Sequence, residues 1–233
     1  MAVVLDVVAI TPTISMLRFD VVNAYAVHID SGFVVVDTGP LGSEGAILAA
    51  LAQLGDPADV RQIVLTHSHK DHAGSARALA EETGAMVLAG AGDAPVIAGT
   101  SEEPAAVITT EEQPFYDRIA PLIPPSAPVR VDRVLHEGDD LGWDRPTEVI
   151  EVPGHTPGSI AIYLPDERVL LTGDNVASLG GKPILGPFNV DRQDAIASFR
   201  RLAEMDFDIA CFGHGDPIVR DASNVLLDVA NRL

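Results

Sequence analysis

Thr66-His67-Ser68-His69-Lys70-Asp71-His72-Ala73-Gly74 follows directly on the apolar run Ile63-Val64-Leu65, and its reading decides the rest of the chain. Alternate residues of an extended loop point to one side. His67 and His69 can therefore grip one ion while the adjacent Asp71 and His72 turn toward a second. The pattern H-x-H-x-D-H makes this stretch a candidate site for two metal ions.

The remaining polar signals recur in one local context: a short apolar run, then a Gly-flanked turn carrying a ligand-type residue. His155 stands in V-P-G-H-T-P-G-S after 149–152, Asp174 in T-G-D-N after 169–171, and His214 in F-G-H-G after 209–212. Asp37, in D-T-G after 34–36, obeys the same rule. If these runs are strands of packed sheets, the groups emerge together at strand ends, where loops build sites on a rigid scaffold. Five of the seven histidines then meet at one edge. His28 and His136 lie outside the motifs and are read as ordinary structural or surface residues.

Short β-branched runs are expected as strands at 21–29, 33–36, 63–66, 86–89, 129–135, 147–152, 159–164, 169–172 and 209–212. Helices fall between them. Ser43 is placed to cap a segment with Ile47, Leu51 and Leu54 at helical spacing; Asp71 begins another through Ala76, Leu79 and Ala80; Asp191 begins a third through Ile196, Phe199 and Leu202. A last helix is expected over 224–232. The mixture predicts an α/β protein of sheets covered by helices, and no Ser/Gly-rich or charge-rich linker divides residues 1–233, so a single domain is expected. Residues 100–128 hold six of the 17 prolines together with Phe115 and Tyr116, and are read as an insertion placed to act as a lid.

With 15 Lys and Arg against 34 Asp and Glu, the formal net charge of −19 argues against a nucleic-acid partner. No apolar stretch is long enough to span a bilayer. The start MAVVLDVVAI has no basic region before its apolar residues and carries Asp6 within them, so no signal peptide is read and a cytoplasmic location is expected. The single Cys211 excludes an intramolecular disulfide and lies inside an apolar run, as a buried structural thiol would. There is no G-x-S-x-G. G-A-G-D-A-P from Gly90 has Pro95 where a dinucleotide fingerprint needs its third glycine, and Gly181-Lys182 lacks the context of a phosphate loop.

Through T-H-S-H-K-D-H-A-G, P-G-H-T-P-G-S, T-G-D and G-H-G in that order, with D-T-G upstream, the chain resembles the metallo-β-lactamase superfamily over essentially its whole length. The resemblance implies a four-layer αβ/βα sandwich of two mixed β-sheets flanked by helices. It implies that His67, His69 and His155 hold one metal, that Asp71, His72 and His214 hold the second, and that Asp174 bridges both. Asp37 would be the outer carboxylate that orients the histidines. Two divalent ions, zinc in the first instance with iron or manganese open, would share a hydroxide that attacks a polarised carbonyl. Asp71 would act catalytically by orienting that hydroxide and passing its proton to the leaving group.

Among branches of the superfamily, Asp174 stands where the cysteine-using zinc β-lactamases place a thiolate, and no flavin-binding domain follows. The nuclease branch needs a basic surface, which the charge denies. Glyoxalase II enzymes carry a basic helical extension, whereas only 19 residues follow His214, with Arg220 and Arg232 among them. Lactonases place a tyrosine three residues after the bridging aspartate, where this chain has Ala177. The expectation is hydrolysis of a small carboxyl derivative (ester, thioester or lactone) with an apolar wall formed by Phe115, Tyr116 and Phe188 and with Lys182 as a carboxylate anchor. A persulfide-dioxygenase-like oxidoreductase using one iron, a β-lactam hydrolase, and a non-enzymatic metal-binding relative are the alternatives. A homodimer is left open.

Overall fold

Alternation along the strands assigns each apolar side chain to one of three cores, and the cores define the layers. A computed structural model describes residues 6–233. The reading of the first ten residues as free of a leader falls partly on residues 1–5, outside the described residues. The first sheet has seven strands in sequence order: β1 (Asp6–Ala9), β2 (Ile14–Arg18), β3 (Asn23–Ile29), β4 (Gly32–Val36), β5 (Val60–Leu65), β6 (Met86–Gly90) and β7 (Arg133–Leu135). It is antiparallel from β1 to β4 and parallel from β4 to β7. The second sheet contains β8 (Glu148–Glu151), β9 (Ile160–Leu164), β10 (Val169–Leu171) and, after the separate hairpin of β11 (Val176–Leu179) and β12 (Lys182–Leu185), β13 (Ile209–Cys211). Its order is β13-β10-β9-β8, with only β10 and β13 parallel to one another as neighbours.

Phe33, Val35, Ile63, Leu65 and Val87 face the helices α1 (Glu44–Leu51) and α3 (Ala76–Thr83), where Ile47, Leu51 and Leu79 complete the first core. Their neighbours Val34, Val36, Val64 and Leu88 point the other way and meet Ile160, Ile162, Leu164, Val169 and Leu171 of the second sheet. Ile150, Ala161, Leu170 and Ala210 face outward again, onto Phe199 and Leu202 of α6 (Arg192–Ala203) and Leu226 of α7 (Ala222–Ala230). Helix, sheet, sheet, helix is the αβ/βα sandwich expected. Each fully buried Leu, Ile or Phe contributes about 1.5–3 kcal/mol through this burial. A one-residue slip of any such strand would exchange its two faces, so the register is strongly specified.

Several local expectations are corrected. β1 and β2 precede the first strand read from the sequence, and β3 starts at Asn23 because Val21 lies in the connecting turn. Of 129–135 only Arg133–Leu135 pairs as strand. Residues 176–185, for which no strand is expected above, fold as the β11–β12 hairpin, whose Gly180 and Gly181 both take positive φ. Asp71 does not begin a continuous helix: α2 (Lys70–Ala73) and α3 are separated at Gly74 and Ser75. A Cβ on Gly74 would lie 2.5 Å from the Leu41 nitrogen, and the Ser75 hydroxyl donates to the Pro40 carbonyl at 2.6 Å. Close packing on the 39–41 turn therefore breaks the helix. Ser43 stands at the N-cap of α1 without a side-chain cap bond; its N–H instead donates to the Ser75 hydroxyl at 2.8 Å. Asp191 does cap α6, accepting from the N–H groups of Gln193 and Asp194. The last helix spans Ala222–Ala230. Within 100–128 lies α5 (Gln113–Ile119), which follows the four-residue α4 (Ala94–Ile97).

Candidate metal centre

Every expected metal-site motif leaves the C-terminal end of a strand that runs in a common direction within its sheet. Asp37 follows β4, His67 follows β5, His155 follows β8, Asp174 follows β10 and His214 follows β13. β4 and β5 are parallel, as are β10 and β13, and β8 shares their direction because both β8 and β10 are antiparallel to β9. The two sheets thus present their ligand-type residues at one edge.

Two nitrogen and carboxylate trios result: His67, His69 and His155, and Asp71, His72 and His214, each with ligand atoms within 4.8 Å of one another. In the first, His155 Nε2 faces His69 Nδ1 at 2.9 Å; in the second, His72 Nε2 faces His214 Nε2 at 3.3 Å, and Asp71 Oδ2 is 3.4 Å from His214 Nε2. Asp174 Oδ2 lies between them. It is 3.0 Å from His214 Nε2, 3.4 Å from His72 Nε2, 3.7 Å from His155 Nε2 and 4.0 Å from His67 Nε2.

Outer hydrogen bonds decide which nitrogen His67, His72 and His214 turn inward. The Thr66 hydroxyl gives its only proton to Asp37 Oδ2 at 2.8 Å, so it can only accept from His67 Nδ1, 3.0 Å away. That leaves His67 Nε2 bare, and it is buried without a hydrogen-bond partner among the described residues. His72 Nδ1 donates to Asp37 Oδ2 at 3.0 Å, and His214 Nδ1 donates to the Val21 carbonyl at 2.5 Å. Their Nε2 atoms face one another and Asp174. Asp37 also groups geometrically with His67 and His72 as a third donor set. Its oxygens are already taken by the Thr66 N–H, the Thr66 hydroxyl and His72, which sets the carboxylate behind the imidazoles. Asp37 holds this position at φ 59°, a left-handed conformation that its three hydrogen bonds stabilise.

The electrostatics divide the two trios. Burial, with His69 beside it, lowers His155 to about 3, and burial with the neighbouring imidazoles lowers His67 as well. Burial opposes protonation of His214 too, but the Asp174 and Asp71 carboxylates outweigh it and push His214 up to about 10; Asp174 and Asp71 likewise raise His72. Burial would raise Asp71, yet the charge of His72 and the hydrogen bond and charge of His214 hold it well below the ordinary carboxylate range. Imidazole nitrogens facing one another, with His67 Nε2 and Asp174 Oδ1 buried and unpartnered among the described residues, form an arrangement that cations complete. The donor set of imidazole and carboxylate, without thiolate, fits divalent first-row metals. Backbone packing keeps it tight: a Cβ on Gly213 would lie 1.9 Å from Asp174 Oδ1.

The aromatic residues also assemble. Phe115 stacks on Phe188 at 5.6 Å between centroids, and Tyr116 meets Phe188 edge-on at 5.2 Å. Phe188 sits in a loop tied to the site, because the Val190 N–H donates to the His155 carbonyl and the Gly186 N–H to that of Asn175. The insertion is tied down as well: the Val107 N–H donates to the Asn189 carbonyl, and Glu103 places one carboxylate oxygen 3.8 Å from His69 Nε2 and the other 3.6 Å from Lys70 Nζ. Lys182 is exposed at the start of β12, and among the described residues no hydrogen bond or ion pair ties it to the site. His28 and His136 stand apart, and Cys211 is buried between the sheets with its thiol pushed up to about 12 by that burial.

Three contributors escaped the sequence reading: Thr66, Glu103 and Asp93. Asp93 is fully buried in the turn after β6, where its carboxylate accepts from the Ser68 N–H, the Thr156 hydroxyl and the Gly158 N–H. Its signal was present, since G-A-G-D after 86–89 is another Gly-flanked turn behind an apolar run.

The family model for the metallo-beta-lactamase superfamily matches residues 17–214. A probable metallo-hydrolase of Bacillus subtilis, YflN, is 27% identical over 93% of this chain and 89% of that protein. A hydroxyacylglutathione hydrolase of Cereibacter sphaeroides is 33% identical over 73% of this chain; the aligned part is 53% of that enzyme, so the chain matches about half of its length. Among solved structures, the class B3 di-zinc metallo-beta-lactamase LRA-12 from an Alaskan soil metagenome superposes with a TM-score of 0.74 at 21% identity, covering 97% of this chain and 90% of that one, which speaks to the fold alone. MIM-1, a metallo-beta-lactamase of Novosphingobium pentaromativorans, gives 0.67 at 27% identity over 97% and 81%. With its ligand-type residues gathered where the two sheets end, this chain is a metallo-hydrolase and belongs to the metallo-beta-lactamase superfamily.

Proposed function

We propose that the protein is a dinuclear hydrolase of small carboxyl derivatives with an apolar substituent: an ester, a thioester or a lactone. The observation that carries this reading is the place of Asp174 Oδ2, within 3.0–4.0 Å of four imidazole nitrogens drawn from both trios. His67, His69 and His155 would hold one ion, Asp71, His72 and His214 the other, and Asp174 would serve both. Bound there, divalent ions supply Lewis acidity and lower the pKa of a coordinated water to about 7.

The chain's own groups account for the rest. Asp71, kept ionised, is an acceptor that can orient an attacking water and return its proton to the leaving group. The Cys211 thiol does not compete for the role of nucleophile, since burial keeps it protonated at neutral pH. The surroundings favour an apolar substrate. Phe115, Tyr116 and Phe188 form one aromatic cluster, and the side chains of Val21 and Leu179 are 73% and 71% exposed beside the backbone that holds His214. The insertion at 100–128 would carry its share of that cluster as a lid.

The test is a panel of lactones, acyl thioesters, aryl esters and β-lactams offered to metal-analysed protein. Hydrolysis of an apolar ester, thioester or lactone, lost on chelation and restored by metal, supports the reading. Turnover confined to β-lactams would replace its substrate class, and oxygen uptake with a thiol persulfide in place of hydrolysis would overturn it.

A further inference from the structure

His155 and His69 differ from the other ligand-type histidines in how they are held. His67 is anchored through Thr66, His72 through Asp37 and His214 through Val21. His155 Nδ1 has no hydrogen-bond partner among the described residues, and the nearest carboxylate to His69 Nε2 is Glu103 at 3.8 Å, beyond hydrogen-bond range. The placement of these two rings therefore rests on the backbone that carries them.

Both stretches of backbone converge on Asp93. Its Oδ2 accepts from the N–H of Ser68, between His67 and His69, at 2.7 Å, and from the hydroxyl of Thr156, next to His155, at 2.7 Å. Its Oδ1 accepts from the Gly158 N–H at 2.8 Å. The proton arrangement is unambiguous at Thr156. Ser159 Oγ accepts from the Thr156 N–H at 3.0 Å, which frees the Ser159 hydroxyl to donate to Thr156 Oγ1, while Thr156 donates to Asp93.

The glycines of G-A-G-D have their reason in the same contact. A Cβ on Gly90 would lie 2.2 Å from the Gly158 carbonyl oxygen, one on Gly92 2.7 Å from the Gly158 nitrogen, and one on Gly158 2.1 Å from the Asp93 nitrogen. Two turns are pressed backbone to backbone, and only glycine permits the approach. The motif that failed as a dinucleotide fingerprint is a clasp between the turn after β6 and the turn that carries His155.

We propose that Asp93 is a positioning residue for the His67, His69 and His155 trio and not for the Asp71, His72 and His214 trio, so that of the two buried carboxylates Asp37 acts on both ions and Asp93 on the first alone. Asp37 touches Thr66 and His72 and so serves both trios; Asp93 touches neither Asp71, His72 nor His214. This inference rests on the two-ion reading above. Loss of a carboxylate behind metal-bound imidazoles weakens binding by about 10–100-fold.

The experiment measures metal affinity by competition with a chelator, using zinc as the probe, in two backgrounds that each keep one trio. In Asp71→Ala with His214→Ala, only the first trio is complete; adding Asp93→Asn should weaken the remaining ion by about 10–100-fold. In His69→Ala with His155→Ala, only the second is complete, and Asp93→Asn should change affinity less than about threefold on the same scale. Thr156→Val, which removes the hydroxyl that donates to Asp93 and accepts from Ser159, should reproduce part of the loss in the first background, and Thr156→Ser should restore it. Circular dichroism confirms that the variants compared are folded. Equal loss in both backgrounds, or none in the first while wild-type protein binds two ions, would overturn the role of Asp93 alone. Failure of the wild-type protein to bind zinc at all would overturn the two-ion reading and this inference with it.

Discussion

Asp37 and His72 share a fully buried hydrogen bond of 3.0 Å from His72 Nδ1 to Asp37 Oδ2, which turns His72 Nε2 toward Asp174 Oδ2 at 3.4 Å. Because the same Asp37 oxygen accepts from the Thr66 hydroxyl that anchors His67, one carboxylate orients a ring in each trio. Asp37→Ala should therefore weaken both ions, by about 10–100-fold in affinity or activity. Asp174→Ala should cost more, because it removes the group placed between the trios. Chelator competition and hydrolysis rates on both variants check the order. Equal damage from Asp37→Ala with both ions still bound would refute the outer role of Asp37.

Acid should separate the two ions. Without metal, His214 is raised to about 10 and His72 is raised as well, so filling their trio displaces protons at pH 7 and its affinity falls as pH falls. His155 is lowered to about 3 and His67 is lowered too, so their trio has far fewer protons to displace. Dialysis from pH 8 to pH 6 should take metal content from two toward one per chain, while Asp71→Ala keeps its single ion over the same range. Simultaneous loss of both ions would contradict the division. For chelated protein the sign is opposite in direction: a folded pKa raised from 6.5 to about 10 at His214 stabilises fully below pH 6.5, and this is lost as pH rises through 10. Its thermal midpoint should accordingly fall on alkaline titration.

The aromatic cluster should discriminate among substrates. Phe115 and Tyr116 are partly exposed and pack on Phe188, away from the three cores, so Phe115→Ala with Tyr116→Ala should leave folding and metal content intact. KM should rise about tenfold or more for long-chain or aromatic substrates and little for a small ester, since one methylene in an apolar pocket is already worth about 1–3 kcal/mol. An equal effect on every substrate, or none, would show that the insertion does not line the substrate pocket.

Much of this architecture was legible in the sequence for one physical reason: period-two alternation assigns faces, and faces assign layers. Ile160, Ile162 and Leu164 against Ala161 and Tyr163 is the plainest case. The ligand-type residues were legible because each follows an apolar run at a glycine-bearing turn. What escaped depends on contacts distant in sequence. The break between α2 and α3 comes from Pro40 and Leu41 pressing on Gly74, which no local pattern at 71–80 records. The hydroxyl of Thr66 is indistinguishable from any other until Asp37 is folded against it. Asp93 and the β11–β12 hairpin were missed differently: G-A-G-D was weighed only as a dinucleotide fingerprint and Gly181-Lys182 only as a phosphate loop, with Gly180 beside it unread.

Elemental analysis of protein purified without chelators, paired with a hydrolysis assay on the same sample, tests the two-ion site most directly. Two transition-metal ions per chain are expected, with activity falling as the second is withdrawn and returning when it is restored. One ion per chain with full hydrolytic activity would contradict the place given to Asp174 between the two trios.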